Sequence, residues 1–216
     1  MRIALASGSP RRREIVKALD AAVDVIGSNG EEPSPESGES PSEYVQRLAE
    51  LKARGSTPSE DQTIVIGADT SVVLDGAILG KPEDNAEAEV MLRALRGRIH
   101  GVITGVAVLN TATGICRTIS RSSDVHLRQY TDEEMLAYIA SGEPMDKAGA
   151  YAAQDQNFRP AIRIVGCYLN VVGLPLCDTI SLLSKMGVEA AIRKQWKIPE
   201  ECENCELSYA VRGQDR

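Results

Sequence analysis

The chain lacks the features that would place it in several large classes. No apolar run approaches the roughly 20 residues a membrane helix needs, so no membrane partner is expected. There is no basic excess: 24 Lys and Arg face 31 Asp and Glu, a formal charge of −7. Nucleic acid wants a basic face, so it is not the expected partner, although local Arg and Lys clusters leave room for a small phosphate ligand. Histidine is scarce. His100 and His126 show no spacing that would complete a zinc site with the lone C-x-x-C of Cys202 and Cys205, which reads first as a feature of the tail. The five cysteines, Cys116, Cys167, Cys177, Cys202 and Cys205, are odd in number, and three lie in apolar stretches. That fits a reducing compartment better than a disulfide framework. No G-x-x-x-x-G-K-S/T run is present, which argues against a P-loop NTPase, and there is no internal repeat.

What remains is an ordinary globular composition, 43% hydrophobic and 25% charged over 216 residues, enough for one large α/β domain or two small lobes. Met1-Arg2-Ile3-Ala4 runs straight into structured sequence with no room for a signal peptide, and cytoplasm is the expected location. The pattern alternates strands and helices. Residues 2–6 predict a buried strand, then Ser9 as N-cap and Pro10 at the first turn predict a helix to about Leu19. Residues 27–41 are rich in Gly, Ser, Pro and Glu and predict a mobile loop. Ser40 to Glu43 is a capping-box spacing opening a helix over 41–54, whose apolar face holds Val45, Leu48, Ala49 and also Lys52. A lysine there either snorkels outward or reaches into a cleft.

Strands are predicted at 63–66, 71–74 and 77–79, the last two joined by the hairpin signal Asp75-Gly76. A helix over 85–96 ends at Gly97, and strands follow at 101–109 and 115–128. Thr131 to Glu134 opens a helix that stops at Gly142, residues 162–172 predict strand, and 175–186 helix. The tail from Pro199 is polar and aperiodic. Hence the expected organisation is one α/β domain over 1–198, its sheet mixed because of the hairpins, and a C-terminal tail over 199–216.

Four segments hold residue types that a core does not need. Ser7-Gly8-Ser9-Pro10-Arg11-Arg12-Arg13 places three arginines at a helix start, where they oppose the dipole unless an anion binds; a solvated basic turn is the alternative. Gly67-Ala68-Asp69-Thr70 puts an acid between apolar strand segments, expensive unless it binds a metal or a proton, or caps a loop. Gly80-Lys81-Pro82 sets a lysine at a strand end beside a rigid turn. Residues 141–154 are small residues punctuated by Asp146, Lys147 and Gln154; the lysine could meet phosphate and the amide could read a base edge. Together they fit metal-assisted hydrolysis of a phosphate ester or anhydride.

Read in order, LASGSPRR (5–12), RLAELKA (47–53), GADTSVVLDGAILGKPED (67–84), SGEPMDKAGAYAAQD (141–155) and GCYLNVVGLPL (166–176) resemble the Maf-like nucleotide pyrophosphatases across about 1–187. The resemblance implies an α/β fold related to the inosine-triphosphate pyrophosphatases, with a mixed elongated central sheet flanked by helices and two lobes around a cleft. It implies hydrolysis of a nucleoside triphosphate to the monophosphate and pyrophosphate with Mg²⁺ or Mn²⁺. Carried over by motif, Asp69 is the general base, and Glu32, or alternatively Glu31, helps Asp69 hold the metal. Ser7, Arg11, Arg12, Lys52 and Lys81 bind the triphosphate. Asp69-Thr70 with Lys147 and Gln154 resembles the dTTP and UTP branch rather than the 7-methylguanosine triphosphate branch, with Arg11, Thr70 and Gln154 at its specificity positions. A homodimer is the expectation the family offers. Two departures stand out: Asp155-Gln156-Asn157-Phe158 replaces the usual glycines, and Cys167 stands where Ser is common. The rival readings are a phosphatase releasing the terminal phosphate, and a non-enzymatic binding protein regulating septum formation.

Overall fold

The computed structural model describes residues 2–27, 32–56, 58, 63–203 and 205. Strand β1 (Arg2–Ala6) leads into helix α1 (Pro10–Val16), where the Ser9 hydroxyl accepts the Arg12 N–H and Pro10 occupies the first turn. The helix stops at Val16 rather than Leu19; Ala18 and Leu19 donate to the carbonyls of Ile15 and Val16, three residues back, so the last turn tightens. An edge strand that the sequence does not predict, β2 (Val23–Ile26), pairs parallel with β1. Its half-exposed four residues leave no apolar run to find. Gly27 and residues 32–40 form no helix or strand, and Glu31 lies outside the described residues.

Helix α2 (Pro41–Arg54) opens with the reciprocal capping box of Ser40 and Glu43. Strand β3 (Thr63–Leu74) is one unbroken run, not two segments with a seam. It turns at Asp75-Gly76, both at positive φ as a two-residue hairpin requires, into β4 (Ala77–Leu79). Helix α3 (Asn85–Leu95), strands β5 (Ile99–Asn110) and β6 (Cys116–Leu127), helix α4 (Asp132–Ala140) and strand β7 (Ala161–Val165) follow. The strand expected over 162–172 ends at Val165. Gly166 turns at φ 111, Cys167 caps the new helix, and Tyr168–Val172 is α5, followed by α6 (Leu176–Lys185).

The seven strands form one mixed sheet, ordered β2-β1-β3-β5-β6-β7, with β4 also on β3. Two principal cores share it. The first gathers Leu5, Ile15, Leu19, Ile64, Ile66, Leu174, Leu176 and Leu183; the second gathers Val72, Leu92, Leu95, Val102, Met135 and Tyr151. Past residue 198 a short turn over Glu200–Cys202 buries Cys202 in the first core, beside Trp196 and Ile198.

Two features of the long strands create the space between the cores. On one side β3 pairs with β1 through Gly67 and with β4 from Val72, while β5 pairs with it throughout. Residues 68–71 therefore face a notch in the sheet, open to both faces. Across the sheet α2 lies unusually close, because a Cβ on Gly67 would stand 2.2 Å from the Ala49 carbonyl and one on Gly105 2.2 Å from that of Val45. Two glycines thus let α2 settle onto the strands.

Candidate functional site

Alternation along β3 sends successive side chains at the notch to opposite faces. Asp69 points toward α2 with Gly67, and Thr70 points the other way with Ala68 and Val72. Asp69 is 6% exposed. Lys52 on α2 reaches into the cleft rather than out to solvent, and its Nζ lies 2.5 Å from Asp69 Oδ1 and 2.8 Å from Glu32 Oε1. A buried carboxylate is costly without such a partner. Burial raises the Glu32 carboxyl, yet the hydrogen bond and charge of Lys52, with Lys81 and Arg12 farther off, hold it below its ordinary value.

On the other face, Arg12 is the fixed element. Its Nε donates to the Gly173 carbonyl at 2.7 Å and its Nη2 to Thr70 Oγ1 at 2.9 Å. Burial lowers its pKa, Asp69 opposes that and Arg11 adds to it; a guanidinium keeps its proton under all these influences. Ser7 is buried at the end of β1, where its hydroxyl accepts the Ser9 N–H at 3.2 Å. Glycine shapes the far wall: Gly149, at φ 68, donates its N–H to the Gly80 carbonyl, tying the 148–150 turn to the Lys81 segment.

Ser7, Arg11, Arg12, Glu32, Lys52, Asp69, Thr70, Lys81, Lys147 and Gln154 all line one cleft of about 380 Å³. The structure thus brings these ten positions together, whereas Arg13, the third arginine of the helix start, is not part of the lining. Lys147 is turned inward, however. It is buried, donating to the Glu143 carbonyl and to Asp146 Oδ1 at 2.5 Å, so its charge is spent on its own loop. The loop that departs from the family pattern is anchored nearby: Asp155 Oδ1 accepts the N–H groups of Asn157 and Phe158, and the Phe158 ring stacks on Tyr138 at 4.3 Å. At the other departure, Cys167 caps α5 by accepting the Asn170 N–H at 3.4 Å, the role a serine would fill.

Sequence reasoning missed Tyr44 and Ser71 on the cleft wall and Thr104 and Asn170 behind it. Thr104 sits in an apolar strand where threonine is a good strand former, and Asn170 was hidden in a run read as strand. Neither carries a local signal.

The cleft's lining among the described residues has five cationic side chains, Arg11, Arg12, Lys52, Lys81 and Lys147, against the acids Glu32, Asp69 and Asp146. No three His, Cys, Asp or Glu side chains gather into a metal cage among the described residues. Glu32 and Asp69 nevertheless converge on one ammonium, and two carboxylates with ligand phosphates and water suit Mg²⁺. The donor set fits a hard divalent cation held by these two residues.

The architecture is a mixed α/β sheet, notched where the carboxylate of Asp69 pairs with Lys52. The model of a family described as Maf-like protein matches residues 2–186, and the chain belongs to that family. It is 41% identical over 205 residues to a dTTP/UTP pyrophosphatase of Dehalococcoides mccartyi, covering 95% of this chain and 91% of that one. It is 42% identical over 211 residues to a dTTP/UTP pyrophosphatase of Thermomicrobium roseum, covering 97% and 95%. With a dTTP/UTP pyrophosphatase of Geobacter metallireducens the identity is 46% over 189 residues, covering 86% and 96%. A solved nucleoside-triphosphatase / dITP/XTP pyrophosphatase from Mycobacterium abscessus superposes with a TM-score of 0.38 at 15% identity, covering 60% of this chain and 76% of that one; so loose a likeness carries no argument.

Proposed function

We propose that this protein is a nucleoside triphosphate pyrophosphatase that hydrolyses dTTP and UTP to the monophosphate and pyrophosphate. The observation that carries the reading is the Glu32–Lys52–Asp69 cluster, set at the sheet notch among cationic side chains that suit a triphosphate. The names of the relatives supply the substrate class.

In this reading Arg11, Arg12, Lys81 and the Ser7 hydroxyl hold the phosphate oxygens, and Lys52 exchanges Asp69 for a phosphate oxygen when the ligand enters. Asp69 then takes a proton from water as its oxygen bonds the α-phosphorus. The α–β anhydride bond breaks and its electron pair leaves with pyrophosphate, whose charge the cations meet. A divalent cation held by Glu32 and Asp69 would supply further positive charge to the phosphates and acidify bound water. On the same reading Thr70, Arg11 and Gln154, which line the cleft, choose the base.

The test is to incubate purified protein and Mg²⁺ or Mn²⁺ separately with dTTP, UTP, CTP, 7-methylguanosine triphosphate and ATP. Pyrophosphate from dTTP and UTP is the expected product. Orthophosphate instead would mean terminal cleavage, and no turnover of any triphosphate would leave the cleft as a binding site only.

A further inference from the structure

Thr104 is fully buried on β5, directly opposite Thr70 in the strand register, and no role in the cleft has been given to it. Its hydroxyl lies 2.9 Å from that of Thr70 and donates to the Asn170 carbonyl at 2.9 Å. Thr70 Oγ1 in turn accepts from Arg12 Nη2 at 2.9 Å. The direction of this chain is fixed by its ends. A guanidinium only donates and a carbonyl only accepts. Each threonine has one hydroxyl proton, so that of Thr104 goes to Asn170 and that of Thr70 must go to Thr104. The Thr70 hydroxyl therefore points its proton away from the cleft and offers a ligand nothing but a lone pair.

The neighbouring wall indicates which part of a ligand meets that lone pair. Val72 and Val102 flank the two threonines on the same strands, and Val171 on α5 also lines the cleft. Apolar side chains suit a planar ring, while Lys52 pairs with Asp69 on the other face of β3. We propose that Thr104 is a specificity-determining positioning residue, which holds Thr70 as an acceptor and so selects a nucleobase presenting a ring N–H. Uracil and thymine present one; the corresponding nitrogen of cytosine is an acceptor and would face the Thr70 lone pair. This rests on the pyrimidine nucleotide reading above and deepens it.

The test compares Thr104→Val, which keeps the shape and removes the hydroxyl, with Thr104→Ser, which keeps it. Two readouts are used: the UTP to CTP ratio of kcat/KM, and calorimetric binding of UMP against CMP, which needs no turnover. With Thr104→Val the Thr70 proton is free to turn into the cleft. A net hydrogen bond is worth about 1 kcal/mol, so the preference for the uracil nucleotide should fall about fivefold to tenfold, mainly through KM, and Thr104→Ser should restore it. An unchanged preference in a folded Thr104→Val protein, or an equal loss for both bases, would overturn the proposal. So would a wild-type protein that binds UMP and CMP equally. If Thr104→Val does not fold, Thr70→Val removes the acceptor itself; retention of the preference there is equally fatal. Absence of turnover with a preserved UMP preference would sink the pyrophosphatase reading and leave this one standing.

Discussion

Lys52 Nζ lies 2.5 Å from Asp69 Oδ1, bridging from helix α2 to strand β3 at the one stretch of β3 where the sheet is notched. The same ammonium holds Glu32 at 2.8 Å. Removing it as Lys52→Met leaves a carboxylate that is 6% exposed without its counter-charge. The loss should be on the order of 3 kcal/mol or somewhat less, because Asp69 also faces the cleft. Mg²⁺ titrated into both proteins should raise the melting temperature of the variant more than that of the wild type, since a cation then replaces the ammonium. Equal responses would remove Glu32 and Asp69 as the metal-holding pair.

Asp69→Asn keeps the size of the side chain and takes away its basicity. Turnover of dTTP should fall on the order of 10²-fold or more, while calorimetry shows dTMP binding within a few-fold of wild type. Near-normal turnover would show that the proton goes elsewhere.

Gly67→Ala tests whether the close seat of α2 builds the site. The added Cβ meets the Ala49 carbonyl at 2.2 Å and the Ala53 N at 2.9 Å, both backbone atoms that cannot swing aside. Overpacking of this kind costs roughly 1–3 kcal/mol or more, and the displaced helix carries Lys52 away from Asp69. A chemical-denaturation midpoint unchanged from wild type would mean that the sheet and helix adjust freely.

His100 should make stability depend on pH. It is 3% exposed, its Nε2 lies 2.5 Å from the Tyr151 hydroxyl, and its Nδ1 has no hydrogen-bond partner among the described residues. Burial first, and the charge of His126 second, push its pKa down to about 4 from an ordinary 6.5. The unfolded chain therefore takes up a proton that the folded one refuses. Stability contributed by neutral His100 is complete above about pH 6.5 and is lost as pH falls toward 4, by on the order of 3 kcal/mol at most. Urea midpoints measured from pH 7 to 4 should decline more steeply for wild type than for His100→Phe. Parallel slopes would show that the imidazole does not titrate in this window.

How much of this was legible depended on whether the signal was local. The caps at Ser9, Ser40 and Thr131 and the Asp75-Gly76 hairpin rest on contacts within a few residues, and they appear where the sequence places them. The run 162–172 misled because Val165, Leu169, Val171 and Val172 are apolar in either conformation. Gly166 and the Cys167 cap, not periodicity, decide the switch to helix. The charged site residues stood out because a core has no use for them. Thr104 and Asn170 did not, since their side-chain hydrogen bonds span 34 and more positions of sequence and exist only after the strands pair.

The three twelve-residue strands have a mechanical consequence. β3, β5 and β6 run without interruption from one core to the other, so the two halves of the molecule share a continuous pleated plate. Hinges form where loop or terminal residues absorb large backbone rotations, and the plate has none beneath Asp69, Thr70 or Thr104. Narrowing of the opening around a bound molecule therefore falls to the rim, to the segments carrying Glu32, Lys81 and Gln154. The floor acts as an anvil beneath that rim.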